Sequence, residues 1–242
     1  MKKITVDDVS LRFRMYHEVA TSAKEYFTNL FRTTKRTTYS DFLALQNLSF
    51  SISDGERVGI VGRNGAGKST LLKTICRIYE PSSGKVSVHG RIAPLLEMGA
   101  GFHPEFTGRE NIYFNGAILG YSKKQLRAIE QEIVEFAELE EFIDTPIKYY
   151  STGMYMRLAF SLATTVHPDI LVLDELFAGG DATFVRRGRE RMYNMIDRAS
   201  VMILVSHDQS LLRSLCERFI WLDRGKIVAD GDVSVLDQYN AS

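Results

Sequence analysis

The stretch GRNGAGKST, residues 62–70, constrains the fold of this chain more than any other. It matches the phosphate-binding P-loop pattern G-x-x-x-x-G-K-[ST]. Residues 56–61 end in an apolar, β-branched run that predicts a buried strand, and residues 71–75 predict a helix. A strand, a glycine-rich loop and a helix in this order are the context that the pattern requires. We therefore expect a nucleotide site at this loop.

The residue types of the loop suit a bound triphosphate. Gly62, Gly65 and Gly67 let the backbone curl without a Cβ in the way, so that several N–H groups point at one anion. Lys68 is placed to reach the β- and γ-phosphates of ATP, and the Ser69 hydroxyl is placed to bind Mg²⁺. The other predicted nucleotide-binding positions are Arg63, Asn64, Ala66 and Thr70.

Two carboxylates follow a second apolar strand. That strand is predicted at 170–173 and leads directly into Asp174 and Glu175. In a P-loop enzyme such a strand lies beside the phosphate loop, so we expect Asp174 to hold Mg²⁺. Glu175 would then orient or deprotonate the attacking water. His207 follows the next strand, where it either donates a hydrogen bond to the γ-phosphate or merely accompanies a helix-capping Ser/Asp pair.

The segment YSTGM, residues 150–154, opens a predicted helix. Ser151 and the N–H group of Gly153 would form a second anion-binding helix N-terminus. One chain then carries two phosphate-binding termini but a single P-loop. A head-to-tail homodimer explains this economically, with each ATP held by the P-loop of one subunit and the Ser151 turn of the other. An ordinary capped helix is the alternative.

Composition limits the class of protein. The chain has 242 residues, enough for one large domain or two small ones, and its formal net charge is +0. A neutral balance argues against a nucleic-acid partner, which normally demands a basic excess. No apolar run approaches the ~20 residues that span a bilayer, and no signal-peptide core is present. We expect a cytosolic chain in which Cys76 and Cys216 are reduced core residues.

The predicted strands and helices are grouped along the chain. Strands are expected at 4–13, 48–52, 85–89, 170–173, 201–205, 219–222 and 227–229. Asp54-Gly55 is predicted to be a hairpin turn that leads into the P-loop strand. Capping boxes at 107–110 and 122–125, with a Ser151 cap, predict helices near 108–119, 123–137 and 151–166. A helical insert, 100–165, thus interrupts an α/β chain.

The order of these motifs resembles the ATPase subunits of ABC transporters. The shared features are the P-loop, the helical insert, the S-x-G turn, Asp174-Glu175, a Gly180-Asp181 turn and Ser206-His207. The resemblance covers nearly the whole chain and implies one α/β domain, a P-loop NTPase ABC cassette. Residues 1–100 and 166–242 would form a RecA-like α/β core with an antiparallel β subdomain, and 100–165 an inserted helical subdomain.

The same resemblance adds residues to the site. Asp181 is implied to contact the nucleotide. Glu97 stands at the position of the family's Q-loop glutamine, which implies a contact with Mg²⁺ or water. The aromatic residue that stacks on adenine is left open among Phe13, Tyr16, Tyr39 and Phe42.

Three details resemble a narrower group, the exporters of lipid-linked bacterial polysaccharides such as O-antigen, capsule and teichoic acid. They are YSTGM in place of LSGGQ, EMGAGFHP at 97–104 and TGREN at 107–111. The resemblance implies ATP hydrolysis that powers polysaccharide export, with O-antigen favoured. It also implies a homodimer bound to two copies of a polytopic membrane permease at the cytoplasmic face of the inner membrane. Some relatives add a carbohydrate-binding domain, which we expect to be absent or removed here, since the chain stops at Ser242.

Two other functions are weighed against export. A soluble ABC protein that acts on ribosomes or nucleic acid would usually have paired cassettes or long coiled-coil insertions and a basic face, and this chain shows none of these. A P-loop kinase would need a lid over its acceptor and would leave YSTGM and His207 unexplained. A co-purifying polytopic membrane protein would favour the exporter.

Residues 17–36 fit an ABC core least well. Their apolar side chains recur at helical spacing among a local excess of basic residues, which predicts an amphipathic helical insertion. Three interpretations compete: packing on the cassette's own sheet, docking against the membrane partner, and lying in the bilayer interface. Because basic residues favour anionic headgroups, we predict a helix or helical hairpin at the cytosolic membrane boundary.

Overall fold

The computed structural model describes residues 1–16, 39–96, 98–165, 168–174 and 182–241. The predicted insertion 17–36, Glu97 and the segment 175–181 lie outside these residues. The strands are β1 (Lys2–Tyr16), β2 (Tyr39–Ser53), β3 (Arg57–Val61), β4 (Ser83–Val88), β5 (Ile92–Leu95), β6 (Ile170–Asp174), β7 (Val201–Val205), β8 (Arg218–Asp223) and β9 (Lys226–Gly231). The helices are α1 (Lys68–Ile75), α2 (Gly108–Ile118), α3 (Lys123–Ala137), α4 (Thr152–Thr164), α5 (Ala182–Arg198), α6 (Gln209–Leu215) and α7 (Val233–Asn240).

The larger sheet carries the P-loop strand near its middle. Its strands lie in the order β5-β6-β7-β3-β8-β9, and all pairs are parallel except β8 with β9. Nearly every residue of β3, β6 and β7 is buried, as expected for a parallel sheet covered on both faces. The carboxyl ends of these three strands therefore meet at one edge of the sheet.

The smaller sheet is antiparallel, with the order β2-β1-β4. One continuous apolar core joins it to the larger sheet and to α1. Fully buried members of this core include Ile4, Leu45, Ile52, Ile60 and Leu72. The mixed sheet, the antiparallel sheet and the helical insert confirm the predicted α/β fold class.

Two strand predictions need correction. The hairpin at Asp54-Gly55 is wrong, because β2 pairs with β1 whereas β3 enters the other sheet. β3 is buried on both faces, so its neighbours are the inner strands β7 and β8. The short edge strand β5 was not predicted. It contains Pro94, which is tolerated in sheets mainly at an edge and obscures a strand pattern.

Both capping boxes of the helical insert are confirmed. The Glu110 N–H donates to the Thr107 hydroxyl at 3.1 Å, and the Thr107 N–H donates to the Glu110 carboxylate at 2.8 Å. The box that begins at Ser122 has the same pattern. The Ser151 hydroxyl accepts from the Met154 N–H at 3.2 Å, so α4 begins where it was predicted. The insert has a small apolar core of its own, which includes Ile112, Ile133, Val134, Leu139, Ile143 and Leu158.

The two cysteines lie at the ends of two helices, where Cys76 is half-buried and Cys216 is buried. Cys76 and Cys216 are free cysteines that follow the last residues of α1 and α6. Burial raises the pKa of each thiol to about 12, so both stay protonated and unreactive at neutral pH. In the part of the chain that the structure describes, none of the helices has both the length and the apolar character that a membrane span requires.

Asn111, the last residue of the TGREN motif, holds the loop that precedes α2. Its side chain is fully buried. The His103 N–H donates to Asn111 Oδ1 at 2.7 Å. Asn111 Nδ2 donates to the carbonyl of Thr107 at 2.9 Å and lies 3.2 Å from the carbonyls of His103 and Phe106. The motif therefore has a structural purpose, because one buried amide fixes the course of residues 103–107.

Asn111→Ala should lower the free energy of unfolding by about 1–3 kcal/mol, because the His103 N–H loses its acceptor, whereas the carbonyls of residues 103, 106 and 107 keep their bonds to backbone N–H groups. Asn115→Ala is a matched control: Asn115 lies one turn further along α2 and is also buried, but its Nδ2 has no hydrogen-bond partner among the described residues. Urea unfolding followed by circular dichroism measures both variants. Equal losses of stability would contradict this role for Asn111.

Candidate functional site

The P-loop wraps around the ammonium group of Lys68. Lys68 Nζ donates to the carbonyl oxygens of Gly62 at 2.7 Å and Arg63 at 3.2 Å. These bonds hold the positive charge within the loop, where the start of α1 also favours an anion. Gly67, which precedes α1, has φ 105°, and a Cβ there would lie 2.9 Å from the carbonyl oxygen of Ala44. Glycine is therefore required at this point of the loop.

The turn between β8 and β9 contacts the P-loop through a backbone hydrogen bond. The Gly225 N–H donates to the Ala66 carbonyl at 2.9 Å, and the Gln46 N–H donates to the Gly225 carbonyl at 2.8 Å. The Gln46 side chain also donates to the carbonyl of Arg224 at 3.0 Å. This turn thus links the phosphate loop to β2 of the smaller sheet. The turn itself could be predicted from the sequence, but its contact with the P-loop could not, because no local motif indicates it.

A pocket of about 610 Å³ opens beside the P-loop. Residues 64–70 of the loop line it, together with Asp174 at the end of β6 and His207 just after β7. The sheet register brings these groups together, because Val205 pairs with Ile60 on one side and with Asp174 on the other. The structure therefore places residues 64–70, Asp174 and His207 around one pocket.

The oxygen atoms that line this pocket fit Mg²⁺. The hydroxyl of Ser69 and the carboxylate of Asp174 are the hard oxygen ligands that this ion prefers. Within the described ranges, no group of three or more His, Cys, Asp or Glu side chains could hold a metal ion. One carboxylate with a hydroxyl matches the way Mg²⁺ binds together with substrate phosphates rather than in a cage made only of protein.

The turn that carries His207 is held by a helix cap. The Asp208 carboxylate accepts hydrogen bonds from the Ser210 hydroxyl and from the N–H groups of Ser210 at 2.9 Å and Leu211 at 3.1 Å. These bonds lower the pKa of Asp208, and the bond from the Ser210 hydroxyl contributes most. The Ser206 hydroxyl accepts from the Asp208 N–H at 3.0 Å. The helix-capping pair therefore exists. It fixes the backbone on both sides of a histidine that lines the pocket.

Several predicted site residues do not line this pocket. Ser151 is exposed at the start of α4, and neither Ser151 nor Gly153 is among the described residues around the pocket. Arg63 instead lines a neighbouring cleft of about 380 Å³, and Gly62 accepts a hydrogen bond from Lys68, which lines the pocket. The predicted residues outside the described part of the chain are Glu97, Glu175 and Asp181.

Two of the four aromatic candidates for adenine stacking can be compared. Phe42 of β2 lines the pocket and is 50% exposed. Phe13 instead packs edge-on against Tyr79, with ring centroids 5.3 Å apart, and is partly buried against the apolar core. The side chains of Tyr16 and Tyr39 are outside the part of the chain that the structure describes. Phe42 is thus the described aromatic ring that a nucleotide in this pocket would meet.

A second concave surface, which we call the subdomain groove, lies between the larger sheet and the helical insert. Its volume is about 400 Å³, and its lining includes Lys73, Ile78, Phe102, Asn115, Ile118 and Leu119. The Tyr155 hydroxyl donates to the carbonyl of Gly99 at 2.8 Å, and the rings of Tyr155 and Phe102 pack edge-on. Most of residues 98–102, from the EMGAGFHP motif, therefore line this groove.

Fold and site together define a P-loop nucleotide-binding cassette. The phosphate loop follows the central strand of a mainly parallel sheet, an acidic residue ends the strand two places away, and a helical subdomain is inserted between them. Residues 45–178, more than half of the chain, match the family model described as ABC transporter. The chain belongs to the ABC transporter family.

Two relatives within the family are named as ATP-binding proteins of O-antigen export systems. An O-antigen export system ATP-binding protein, RfbB, from Klebsiella pneumoniae is 38% identical over 93% of this chain and 91% of its own length. The RfbB protein of Myxococcus xanthus is 48% identical over 76% of this chain, but the match spans only 42% of that longer protein. Among solved structures, a dimeric post-hydrolysis state of the ATP-binding cassette MJ0796, bound to ADP and Pi, has a TM-score of 0.68 at 22% identity. It covers 95% of this chain and 98% of its own, which supports the fold.

Phe42→Ala should weaken ATP binding roughly ten-fold or more, because stacking of a base on an aromatic side chain contributes about 1–3 kcal/mol. Binding of inorganic tripolyphosphate should not change, since it uses the P-loop and has no base. Isothermal titration of both ligands into the wild-type chain and the variant measures the difference. An equal loss of affinity for the two ligands would contradict a stacking role.

Proposed function

We propose that this chain binds and hydrolyses ATP to power export of a lipid-linked polysaccharide across the cytoplasmic membrane, with O-antigen as the favoured cargo. The observation that carries the proposal is the pocket in which Lys68, Ser69, Asp174 and His207 converge. The choice of cargo is supported by the Klebsiella relative, which is named as an O-antigen export subunit and matches along almost its whole length. The alternative of a soluble ATPase acting on ribosomes or nucleic acid is not favoured.

Each residue of the pocket has a distinct task in this proposal. Lys68 and the loop N–H groups neutralise the β- and γ-phosphates, and Phe42 stacks on adenine. Ser69 and Asp174 hold Mg²⁺, which, when bound, neutralises charge on the phosphate oxygens. Glu175, the next residue after Asp174, orients the attacking water and accepts its proton. His207 donates a hydrogen bond to the γ-phosphate.

A second copy of the chain completes the site. Ser151 starts α4, a helix of 13 residues, and is exposed outside the pocket of its own chain. In a head-to-tail homodimer the Ser151 hydroxyl and the Gly153 N–H would bind the γ-phosphate held by the other P-loop. Asp181 would contact the same nucleotide, and Glu97 would reach its Mg²⁺ or a bound water. The dimeric state of the structurally similar cassette supports this arrangement.

The membrane-spanning part of the transporter is then a separate permease. Two copies of a polytopic permease would hold the homodimer at the cytoplasmic face of the inner membrane, as a peripheral subunit. The subdomain groove is a suitable place for the contact, because it lies where the helical insert meets the core. Movement of the insert on ATP binding would then reach the permease directly.

Ser151→Arg and Lys68→Ala should each abolish ATP hydrolysis and the display of polysaccharide at the cell surface. Each variant removes one half of every shared site. When both variants are expressed together in cells that lack the native chain, mixed dimers contain one site with both lesions and one intact site. Surface polysaccharide should then recover in part, and so should the ATPase activity of the purified mixed dimer.

The controls separate the two claims in this test. No recovery of ATPase activity in dimers shown to be mixed would contradict the shared site. Two results together would contradict the export function. ATPase activity would recover in the mixed dimer without any change in surface polysaccharide, and the wild-type chain would restore neither O-antigen nor another polymer in the same cells. Unaltered activity of the Lys68→Ala variant alone would contradict the nucleotide site itself.

A further inference from the structure

The turn that carries His207 is joined to the end of α7. Gln209, the first residue of α6, follows His207 by two positions, and Asn240 is the last residue of α7. Gln209 Nε2 donates to Asn240 Oδ1 at 2.5 Å, and Asn240 Nδ2 donates to Gln209 Oε1 at 2.9 Å. Each amide therefore serves the other as both donor and acceptor, which restricts the rotation of both side chains.

The helix that carries Asn240 is anchored on the sheet that holds the P-loop. The Tyr239 ring packs edge-on against Trp221 of β8, with ring centroids 5.8 Å apart, and Leu236 is fully buried in the core. β8 pairs directly with β3, the strand that leads into the P-loop. Because Asn240 follows Tyr239, its position is set relative to the P-loop and independently of His207.

The bonds of the residues next to His207 shape the turn locally. The Ser206 hydroxyl accepts from the Asp208 N–H, and the Asp208 carboxylate caps α6. These bonds do not reach another helix. The pair of Gln209 with Asn240 joins residues 31 positions apart in the sequence, and it ties the start of α6 to α7.

From this geometry we infer that Gln209 and Asn240 are positioning residues for His207, and that they hold the first turn of α6 so that the imidazole stays in the ATP pocket. The inference rests on the proposed function, in which His207 donates a hydrogen bond to the γ-phosphate. Both amides are exposed, so water replaces their bonds when the pair is broken, and the chain loses little stability. Buried Leu212 and Leu215 hold the rest of α6 on the core. The pair therefore affects the placement of one side chain more than the folding of the domain.

Asn240→Ala is the principal test, measured as ATP hydrolysis by the purified full-length chain. The variant should lower kcat about 3- to 10-fold, less than His207→Ala does, because the imidazole is displaced rather than removed. The KM for ATP should not change, since the P-loop and Phe42 are untouched. Exchange of the two residues, Gln209→Asn with Asn240→Gln, keeps their combined length and should restore most of kcat.

Asp237→Ala is the matched control, because Asp237 forms an ion pair with Arg213 between the same two helices, one turn further along α6 from His207. It should change neither kcat nor KM. In the His207→Ala background, Asn240→Ala should cause no further loss, since the pair acts through that histidine. Equal losses in the two backgrounds, or a loss in Asp237→Ala as large as that in Asn240→Ala, would show that the pair only holds α7 in place. Either result would overturn the inference.

A spectroscopic measurement tests the placement of His207 without any ATPase activity. The chain has five histidines, and His207→Ala identifies the imidazole signal of His207 in the NMR spectrum of the nucleotide-free chain. Asn240→Ala should shift and broaden this signal, whereas Asp237→Ala should leave it unchanged. An unchanged His207 signal in Asn240→Ala would overturn the inference.

The two measurements separate the inference from the proposed function. If His207→Ala keeps the kcat of the wild-type chain, the proposed role of His207 at the γ-phosphate is wrong, and the NMR signal alone decides whether the pair holds the turn. If His207→Ala lowers kcat and Asn240→Ala alters neither kcat nor the signal, the proposed function stands and the inference is wrong.

Discussion

The close approach of three backbone segments at the P-loop is the constraint on which the rest of the structure depends. A Cβ on Gly62 would lie 2.3 Å from the carbonyl oxygen of Leu222 in β8, so the loop rests directly on that strand. The Gly225 turn then ties Ala66 to β2. The smaller sheet is thereby held against the phosphate loop, and β2 brings Phe42 to the rim of the pocket. The same contacts therefore set both the core packing and the shape of the pocket.

The helical insert carries the Ser151 turn, which does not line this pocket. Stacked and edge-on contacts among Phe136, Phe160 and Phe184 join α3 and α4 to α5. Glu138 accepts from Arg157 at 3.3 Å and also pairs with Arg187. These ion pairs are partly exposed and contribute little stability, so the aromatic cluster is the main contact between the insert and α5. The position of the Ser151 turn is therefore linked to α5 of the core.

Local signals in the sequence predicted local structure well. The boxes at 107–110 and 122–125 each satisfy their own helix start, so no distant contact was needed to place α2 and α3. Sheet partners are different, because pairing is decided by burial across the whole domain. The turn at Asp54-Gly55 forms, yet the strands on its two sides lie in different sheets.

The residues of the site differ in the same way, because some could be predicted from local sequence and others could not. The P-loop, Asp174 and His207 could be predicted because each follows an apolar strand, and parallel strands end at one edge. The contact of Gly225 with the P-loop could not, since it depends on segments far apart in the chain. Phe42 became distinguishable from Phe13 only when the pocket and the core could be compared.

In the proposed homodimer, one chain supplies only half of each ATP site. A structure of the Glu175→Gln variant, which should bind ATP and Mg²⁺ but hydrolyse ATP slowly, would show this arrangement. We expect a head-to-tail homodimer in which each γ-phosphate lies between Lys68 of one copy and Ser151 of the other. An ATP-bound chain in which Ser151 contacts no nucleotide, or contacts the nucleotide of its own P-loop, would contradict it.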